Sequence, residues 1–392
     1  MDRENYILLL TASIFLSISL FEILLVLGLL FAFYEFFKEK QIQKGILLKP
    51  ILVFSGVSIF STVLFNPLRI TKGIEEGLFQ LIYIFKVNRE KVLDLGKKTT
   101  TLFIIFGFVL YPIAVYRYLK EGVAHVIWGS SYEAGHFYSI FSLTSLILSF
   151  YFYRKEKPIF YFFVALYMVF SLIIVLSFRR TEFLEFFVGT VLVAVIFFKN
   201  RLINKKVLAA VFSYLFVFSV FDYWFLSKND YRFKEMNKML LQKEISEKEL
   251  NRISSRRYHI LLDAIDIIKE DIKEKRVLNL LFGHGVRSGA YLPHKRSKKT
   301  DEKYESFFVI SEFIEKGLVG TAAVLFIMFL AFKRFLKLKI VHEEQFFAVV
   351  LFLPLILHLI GVTFTFFWDA LLPLYFLLFK AGEVYFGEDK TI

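Results

Sequence analysis

The chain has 392 residues, of which 57% are hydrophobic, 19% are aromatic and only 22% are charged, and its formal net charge is +13. This composition excludes a soluble globular protein and a disordered chain, because both contain far fewer apolar residues. The absence of cysteine also excludes disulfides, thiolate metal sites and cysteine nucleophiles.

Apolar stretches long enough to cross a bilayer core recur along the chain. They cover residues 5–36, 50–66, 74–86, 100–118, 136–153, 158–178, 182–198, 207–227, 306–332, 345–362 and 366–384. The first is too long for one span, and we predict two tight helices that meet near Ser17–Ser19. Its acidic start, with Asp2 and Glu4, is not the basic region of a cleaved signal peptide. The predicted fold class is all-α, a polytopic integral membrane protein of about twelve transmembrane helices.

Basic residues are concentrated in alternate short loops. These loops are 38–49, 86–98, 154–157, 199–206 and 333–339. Because short cytoplasmic loops are enriched in Lys and Arg, the pattern orients every span and places both termini in the cytoplasm. The weakest stretch, 74–86, must then cross the membrane, since an even number of crossings has to separate the two basic loops around it.

This topology predicts three regions. They are an N-terminal bundle of about nine helices at 1–227, one large loop outside the cytoplasm at 228–304, and three further helices of the same bundle at 305–392. The loop differs sharply in composition from the rest, with nineteen Lys and Arg against twelve Asp and Glu.

Part of this loop is predicted to be helical. Leu261, Ile265, Ile268 and Ile272 follow a 3,4 spacing, with Asp263 and other charged residues elsewhere around the cylinder. Ser254 or Ser255 is placed to cap this amphipathic helix.

Two adjacent arginines, Arg179 and Arg180, stand where one span ends outside the cytoplasm and the next begins. The planar guanidinium suits bidentate binding of phosphate, so a fixed pair here can hold a lipid pyrophosphate. The alternative is that the arginines reach ordinary lipid phosphates or pair with Glu182 and Glu185 one turn later.

A second basic feature, Arg256 and Arg257, opens the amphipathic helix, and Phe282-Gly283-His284-Gly285 follows that helix with Arg287 close behind. The glycines predict a tight turn, and their spacing does not match a dinucleotide-binding fingerprint. The alternative for the arginines is a solvated basic turn.

Glu305 begins the third feature, a stretch that runs on through Glu315-Lys316-Gly317. A single helix over 305–332 would be about 40 Å long, so its first turns would project beyond the outer face. Glu305 would then stand at the mouth of the bundle, where a general base is useful. The alternative is an N-terminal Glu favoured by the helix dipole.

These three elements, in this order, resemble the O-antigen polymerase and O-antigen ligase family of bacterial membrane glycosyltransferases. That family shows an Arg-Thr pair that starts a span, here Arg180-Thr181, and then a long periplasmic loop with an Arg before an apolar helix, here Arg257. A Phe-Gly-x-Gly follows, here 282–285. A span that reads Glu-x-Gly-[Leu/Ile]-[Val/Ile]-Gly comes last, here Glu315 to Gly320.

The resemblance implies an enzyme of lipopolysaccharide and polysaccharide biosynthesis, at the periplasmic face of the bacterial inner membrane. Family members transfer a glycan from a polyprenyl-pyrophosphate carrier, with inversion and without a metal ion or cofactor. Polymerases transfer it to the end of another lipid-linked repeat unit, and ligases transfer it to the lipid A core. The implied partners are therefore the lipid-linked oligosaccharide, an acceptor glycan or lipid A core, and membrane lipid, but no nucleic acid.

The resemblance also implies roles for single residues. Arg180 and Arg257 would bind and stabilise the pyrophosphate leaving group, with Arg179, Arg256 and Arg287 as further pyrophosphate-binding candidates.

The chain departs from the ligase pattern at one place. Ligases carry a His just before the last motif, whereas this chain has Glu305-Ser306 there, and its nearest histidine is His294. We therefore expect a polymerase with Glu305 as the base for the acceptor hydroxyl, and His294 as the alternative base. A ligase, and a non-enzymatic transporter of lipid-linked oligosaccharide, remain the alternative functions.

Overall fold

The structure is a computed structural model that describes residues 2–240, 246–297, 304, 307–364 and 367–387. In these ranges every regular element is helical. The α-helices are α1 (Arg3–Leu16), α2 (Ile18–Glu39), α3 (Leu48–Phe65), α4 (Ile70–Leu78), α5 (Val92–Glu121), α6 (Ser131–Phe152), α7 (Lys157–Leu176), α8 (Arg180–Lys199), α9 (Lys205–Asn229), α10 (Tyr231–Leu240), α11 (Glu247–Ile253), α12 (Arg257–Lys273), α13 (Val277–Phe282), α14 (Phe308–Leu336), α15 (Gln345–Val350), α16 (Leu353–Gly361) and α17 (Leu372–Phe386). The predicted all-α fold class is confirmed for the described chain.

Several of these helices suit a bilayer. Within the described residues, seven are long and apolar enough to cross a membrane, namely α2, α3, α5 with the turn before it, α7, α8, α9 and α14. Such helices are compatible with a membrane protein, as the sequence predicts.

The first apolar stretch forms two helices, and that prediction is confirmed. Ser17 has extended backbone angles (φ −164°, ψ 129°), and its hydroxyl accepts a hydrogen bond from the Leu20 N–H as the cap of α2. The two helices pack closely, because the Tyr6 hydroxyl donates to the Leu24 carbonyl at 2.8 Å. A β-carbon at Gly28 would fall 1.8 Å from that hydroxyl oxygen, so only glycine fits there.

Helix α6 lies in the centre of the bundle. Every residue from Ala134 to Phe150 is buried, although this stretch is rich in serine and threonine. Its hydroxyls donate to carbonyls within the same helix, for example from Ser139 to Gly135 at 3.0 Å and from Thr144 to Ile140 at 2.8 Å. Most of the buried hydroxyls are satisfied in this way, although that of Ser142 has no hydrogen-bond partner among the described residues, and the helix packs against apolar neighbours.

The loops that carry most of the basic residues lie together at one end of the bundle, which we call the basic end. Contacts there join Lys91 to Asp2 at 2.5 Å, Lys155 to Glu343 at 2.6 Å, and the Asn200 amide to the Leu338 carbonyl at 3.1 Å. The Ile46 N–H reaches Glu383 at 2.6 Å, so the last described helix also ends there. The loop at 66–69 and the turns at 122–130 and 177–179 lie at the opposite end.

The weak stretch 74–86 consists of α4 followed by a 3₁₀ helix over Phe79–Ile84. It starts close to α3, since a β-carbon at Gly73 would fall 2.6 Å from Thr62 near the opposite end. It finishes near the basic end, where the Tyr83 hydroxyl donates to Glu383 at 2.7 Å. The stretch therefore runs from one end of the bundle to the other.

The amphipathic face that the sequence predicts in the loop is wrong. On α12 the buried residues include Ile260, Ala264 and Ile267, which pack with Tyr304 and Ile314. The predicted stripe is instead half-buried at Leu261, Ile265 and Ile268, and Ile272 is 60% exposed.

The reason for this error is an aspartate that faces the protein. The Asp263 carboxylate is buried because it accepts hydrogen bonds from the backbone N–H groups of Arg296 and Ser297, at 2.9 and 3.0 Å. The helix start is correct, since α12 begins at Arg257 and the Ser254 hydroxyl accepts from the Tyr258 N–H at 3.0 Å.

The single helix predicted over 305–332 is also wrong. Gly317 interrupts α14 with angles of φ 64° and ψ −165°, which are not helical. The break separates a short arm, which starts at Phe308, from the long part that ends at Leu336. The described part of this segment therefore does not form one straight helix.

Candidate functional site

The turn between α7 and α8 positions the first two arginines. Arg179 Nε donates to the Ser131 hydroxyl at 2.8 Å, and Arg180 Nη2 donates to the Ile253 carbonyl at 3.0 Å. Within the described residues neither guanidinium forms an ion pair with Glu182 or Glu185, so that alternative does not hold here. Both side chains are instead fixed by polar groups of other helices.

Arg180 has further charged neighbours. Arg232, Asp230 and Arg257 all lie close enough for their charges to act on its guanidinium. We call Arg180, Arg232 and Arg257 the arginine cluster. Arg180 and Arg257, the two arginines that the resemblance singles out, thus lie within electrostatic reach of each other.

Arg232 is a member of the cluster that the sequence did not predict. Its Nε and Nη2 atoms donate hydrogen bonds to the Asp230 carboxylate at 2.6–3.0 Å. Nη2 also donates to the Phe178 carbonyl at 3.0 Å. Nη1 lies 3.4 Å from the Ser255 hydroxyl. Arg232 therefore ties the α7–α8 turn to the segment that opens α12, and it was missed because a single Arg in a basic loop carries no pattern.

The cluster gathers three positive charges. The charges of Arg232 and Arg257 both act on the Arg180 guanidinium, as does that of the Asp230 carboxylate, to which Arg232 donates hydrogen bonds. Like charges held together favour an anion between or above them, and guanidinium groups match phosphate oxygens in pairs. Arg256 lies beside the cluster in a left-handed turn (φ 72°) with an exposed side chain.

The two glycine motifs meet in space. The His284 N–H donates to the Ile314 carbonyl at 2.7 Å, and the Gly285 N–H donates to the Glu315 carbonyl at 2.9 Å. A β-carbon at Gly283 would fall 2.3 Å from the Glu315 carbonyl carbon, and one at Gly317 would fall 2.4 Å from the Phe282 nitrogen. Both glycines are required because two backbones touch.

Helix α3 completes this junction. The Thr62 hydroxyl accepts from the Val286 N–H at 3.0 Å, and the Asn66 amide donates to the Val286 carbonyl at 2.8 Å. The Ser61 hydroxyl donates to the Glu315 carbonyl at 3.0 Å. Backbone groups that the break in α14 leaves exposed are thereby satisfied.

A buried charged network lies behind the junction. The Lys316 ammonium is 2.8 Å from Glu312, 3.3 Å from Glu76 and 3.4 Å from Glu315, and all four side chains are buried. We call these four residues the glutamate–lysine network. Isolated charges at such a place would be costly, so each member depends on the others. No local sequence pattern predicts that Glu76 and Lys316 pair.

Arg287 lies at the edge of this network. Its backbone N–H donates to Glu315 at 3.0 Å, and its Nε is 3.9 Å from a Glu76 oxygen. The structure therefore brings Arg287 to the glycine junction.

The two candidate bases stand differently. Glu305 lies outside the described residues. His294 stacks on Tyr304 with ring centres 4.7 Å apart, and its ring nitrogens lie 2.7 Å from the Gly289 carbonyl and 3.2 Å from the Ser297 hydroxyl. The imidazole is thereby held within the loop by partners at both nitrogens.

His284, inside the Phe-Gly-x-Gly motif, anchors the loop. Its ring lies 2.7 Å from Asp271 and 3.2 Å from the Asn279 amide. Tyr291 donates to the His284 carbonyl at 2.5 Å. Burial raises the pKa of Tyr291 to about 12, so its phenol keeps the proton for this hydrogen bond at neutral pH.

A buried histidine–glutamate pair lies below the first arginines, and the sequence analysis missed it. The His136 ring is 2.6 Å from the Glu185 carboxylate, and both side chains are at most 1% exposed. A β-carbon at Gly361 would fall 1.8 Å from the other Glu185 oxygen, so the neighbouring helix makes room for the carboxylate. Ionisable residues in the first turns of two predicted spans were the available signal.

The backbone of Phe367 connects this pair's surroundings with the glutamate–lysine network. The Phe367 N–H donates to Glu312 at 3.1 Å, and its carbonyl lies 3.0 Å from His358 Nε2. The other nitrogen of His358 is 3.4 Å from the Tyr132 hydroxyl. Buried polar side chains of α6, α14 and α16 thus form one region.

Comparison with known proteins identifies a relative but no activity. No family model matches the chain, and no solved structure matches it. An uncharacterized protein of Aquifex aeolicus (strain VF5) is 44% identical over 392 residues, which is all of this chain and 99% of the relative. The chain therefore belongs to the same family as this Aquifex aeolicus protein.

Proposed function

We propose that the chain is a membrane glycosyltransferase of the O-antigen polymerase type. It transfers a polyprenyl-pyrophosphate-linked glycan to the end of another lipid-linked repeat unit, with inversion and without a metal ion. The reaction takes place at the periplasmic face of the bacterial inner membrane. The observation that carries this proposal is the proximity of Arg180 to Arg257, since these are the two arginines that match the family's pyrophosphate-binding motifs.

The arrangement of the loops supports the proposed topology. In the proposed topology the chain crosses the membrane about twelve times, with α1, α4 and its 3₁₀ extension, α6, α15 with α16, and α17 as crossings beside the seven longer helices. The basic end is the cytoplasmic side in this proposal, because Lys and Arg are retained there. The arginine cluster and the loop at 228–304 then face the periplasm.

The chemistry assigns a task to the cluster. The acceptor hydroxyl oxygen bonds to the anomeric carbon while the bond from that carbon to the pyrophosphate oxygen breaks, and the electron pair of the broken bond leaves with the pyrophosphate. Positive charge held in advance at Arg180, Arg232 and Arg257 stabilises the negative charge that develops there. The proton of the hydroxyl passes to a base, for which Glu305 is the first candidate and His294 the second.

A single reconstitution tests the activity. The purified protein is incubated with a polyprenyl-pyrophosphate oligosaccharide, with and without lipid A core, and the products are separated by size. A ladder of repeats is expected. A single conjugate that needs lipid A core would make the protein a ligase, and the absence of any product would favour the transporter.

Matched variants connect the activity to the site. Arg180→Ala and Arg257→Ala should abolish the ladder while the protein still inserts and stays folded. Arg117→Ala is the control, because Arg117 is an exposed arginine at the same end of the bundle and pairs only with Glu121, one turn away, among its described contacts. Full elongation by both cluster variants contradicts the proposal.

A further inference from the structure

A cavity of about 530 Å³ opens at the basic end, far from the arginine cluster. It lies between the end of α8 and the end of α14. Its charged lining consists of Lys199, Arg334, Lys337 and Lys339, and no acidic residue lines it within the described part of the chain. Four positive charges around one concavity repel one another unless an anion joins them.

The walls of this cavity are fixed. The Asn200 amide donates to the Ile196 and Leu338 carbonyls at 2.9 and 3.1 Å, and its oxygen accepts from the Ile340 N–H at 2.9 Å. One side chain thereby joins the α8–α9 loop to the α14–α15 loop. The backbone segments that carry the four cations are therefore held in place.

Arg334 is the most informative member of the lining. Its Nε and Nη2 atoms are buried and have no hydrogen-bond partner among the described residues. The carboxylate of Glu383 is near enough to interact electrostatically, but its oxygens accept hydrogen bonds from the Tyr83 hydroxyl and the Ile46 N–H. A guanidinium in which two nitrogen atoms lack an acceptor is suited to bind a further anion.

The remaining lining is apolar and indicates what kind of anion fits. Ile196, Leu336, Leu338 and Phe386 lie beside the cations. A phosphate headgroup carries negative oxygens on one side and a glycerol with methylene groups on the other. Basic pockets between membrane helices recognise such headgroups.

We infer that this cavity is a binding site for a phosphate-bearing ligand, either the headgroup of an anionic phospholipid in the adjoining leaflet or a soluble phosphate. Arg334 binds the phosphate oxygens through its fork, and Lys199, Lys337 and Lys339 add point charges. This inference does not depend on the proposed transferase activity.

The test measures binding to the purified full-length chain in two arms. In the first, nanodiscs or vesicles of phosphatidylglycerol are compared with phosphatidylcholine, with bound lipid counted by native mass spectrometry. In the second, inorganic phosphate and pyrophosphate are titrated in detergent against the thermal unfolding midpoint. Selective retention of phosphatidylglycerol assigns the lipid, and a rise in the midpoint with phosphate alone assigns the soluble ion. Binding in neither arm overturns the inference.

Matched variants separate the cavity from the general charge of this end. Lys337→Gln with Lys339→Gln should weaken binding about fivefold for each charge removed, and adding Arg334→Gln should abolish it. The control is Lys205→Gln with Lys206→Gln, two exposed lysines at the same end that do not line the cavity. If the cavity variant and the control variant lose the same amount of binding, the effect is nonspecific electrostatic attraction and the inferred site is wrong.

Glu388 and Asp389 follow Phe386 closely in sequence, so their carboxylates are tested as competitors for the cavity. Glu388→Gln with Asp389→Asn should leave phosphate or lipid affinity unchanged. If phosphate and phosphatidylglycerol bind only to this double variant and not to the unaltered chain, the inference is wrong.

Discussion

Gly283 and Gly317 face each other across a backbone contact, and a β-carbon on Gly317 would fall 2.5 Å from the Gly283 nitrogen. Both have positive φ angles, of 79° and 64°. The break in α14 and the turn after α13 therefore depend on each other.

This contact predicts that Gly317→Ala destabilises the protein by about 2–5 kcal/mol, because the methyl group would overlap backbone atoms and the φ angle would be strained. Thermal unfolding in detergent measures the change. Gly56→Ala is the control, since Gly56 lies in α3 with nothing within 4 Å of the added carbon, and it should be neutral or slightly stabilising. Equal midpoints for the two variants would refute the close contact.

The glutamate–lysine network predicts a large cost for removing its lysine. Lys316→Met leaves Glu76, Glu312 and Glu315 buried together, and should lower the free energy of unfolding by about 3–5 kcal/mol. Adding Glu312→Gln to that variant should recover part of the loss, because fewer negative charges are then buried together.

The control for this network is Lys72→Met. Lys72 forms a partly exposed pair with Glu75 at 2.6 Å, and exposed pairs contribute about 0–1 kcal/mol. A similar small effect from both lysine variants would show that Lys316 is not buried among the three carboxylates.

Arg232 is predicted to matter as much as the two arginines in the family motifs. Arg232→Ala removes one positive charge and the contacts that Arg232 forms with both the Phe178 carbonyl and the Asp230 carboxylate. It should therefore lower the rate of glycan transfer about a hundredfold. Arg252→Ala is the matched control, because Arg252 lies in the same loop and contacts only Glu235, at 3.4 Å, among the described residues. Full transfer activity in the Arg232→Ala variant would show that Arg232 does not contribute to the site.

The loop should loosen in acid. The hydrogen bond from Arg296 holds the pKa of Asp266 below its usual value of 3.8, so folding favours the ionised carboxylate. That contribution is complete above the ordinary pKa of an aspartate and is lost as the pH falls through the lower folded value. The protection of residues 260–297 against hydrogen exchange, measured relative to the intrinsic exchange rate at each pH, should therefore fall below about pH 4.

The exchange experiment has its own control. Arg296→Gln removes the partner of Asp266, and it should flatten the part of the pH dependence that this pair supplies. An unchanged acid response in that variant would assign the effect to other groups.

The helices and the grouping of the loops could be predicted from the sequence, because apolar length and loop charge are local properties. The break at Ser17 was predicted for the same reason. The break at Gly317 was not, because it results from the approach of residues 281–283, which no local pattern encodes. The sequence pattern predicted Asp263 on the solvent-exposed face of its helix, because periodicity treats every aspartate as exposed. In the structure the buried carboxylate accepts hydrogen bonds from the backbone N–H groups of Arg296 and Ser297.

The candidate site could be predicted only in part. Motif order singled out Arg180 and Arg257 as candidates, and the fold places them within electrostatic reach of each other. Arg232 and the pairing of Glu76 with Lys316 depend on contacts between segments far apart in the chain, so a single sequence carried no signal for them. Glu305 stays a prediction.

The most direct measurement of the central claim is the affinity of the purified protein for a polyprenyl diphosphate, compared among wild type, Arg180→Ala, Arg257→Ala and the Arg117→Ala control. If the arginine cluster holds the diphosphate, each cluster variant should bind about tenfold or more weakly and the control should bind as tightly as wild type. Unchanged affinity in both cluster variants would contradict the account.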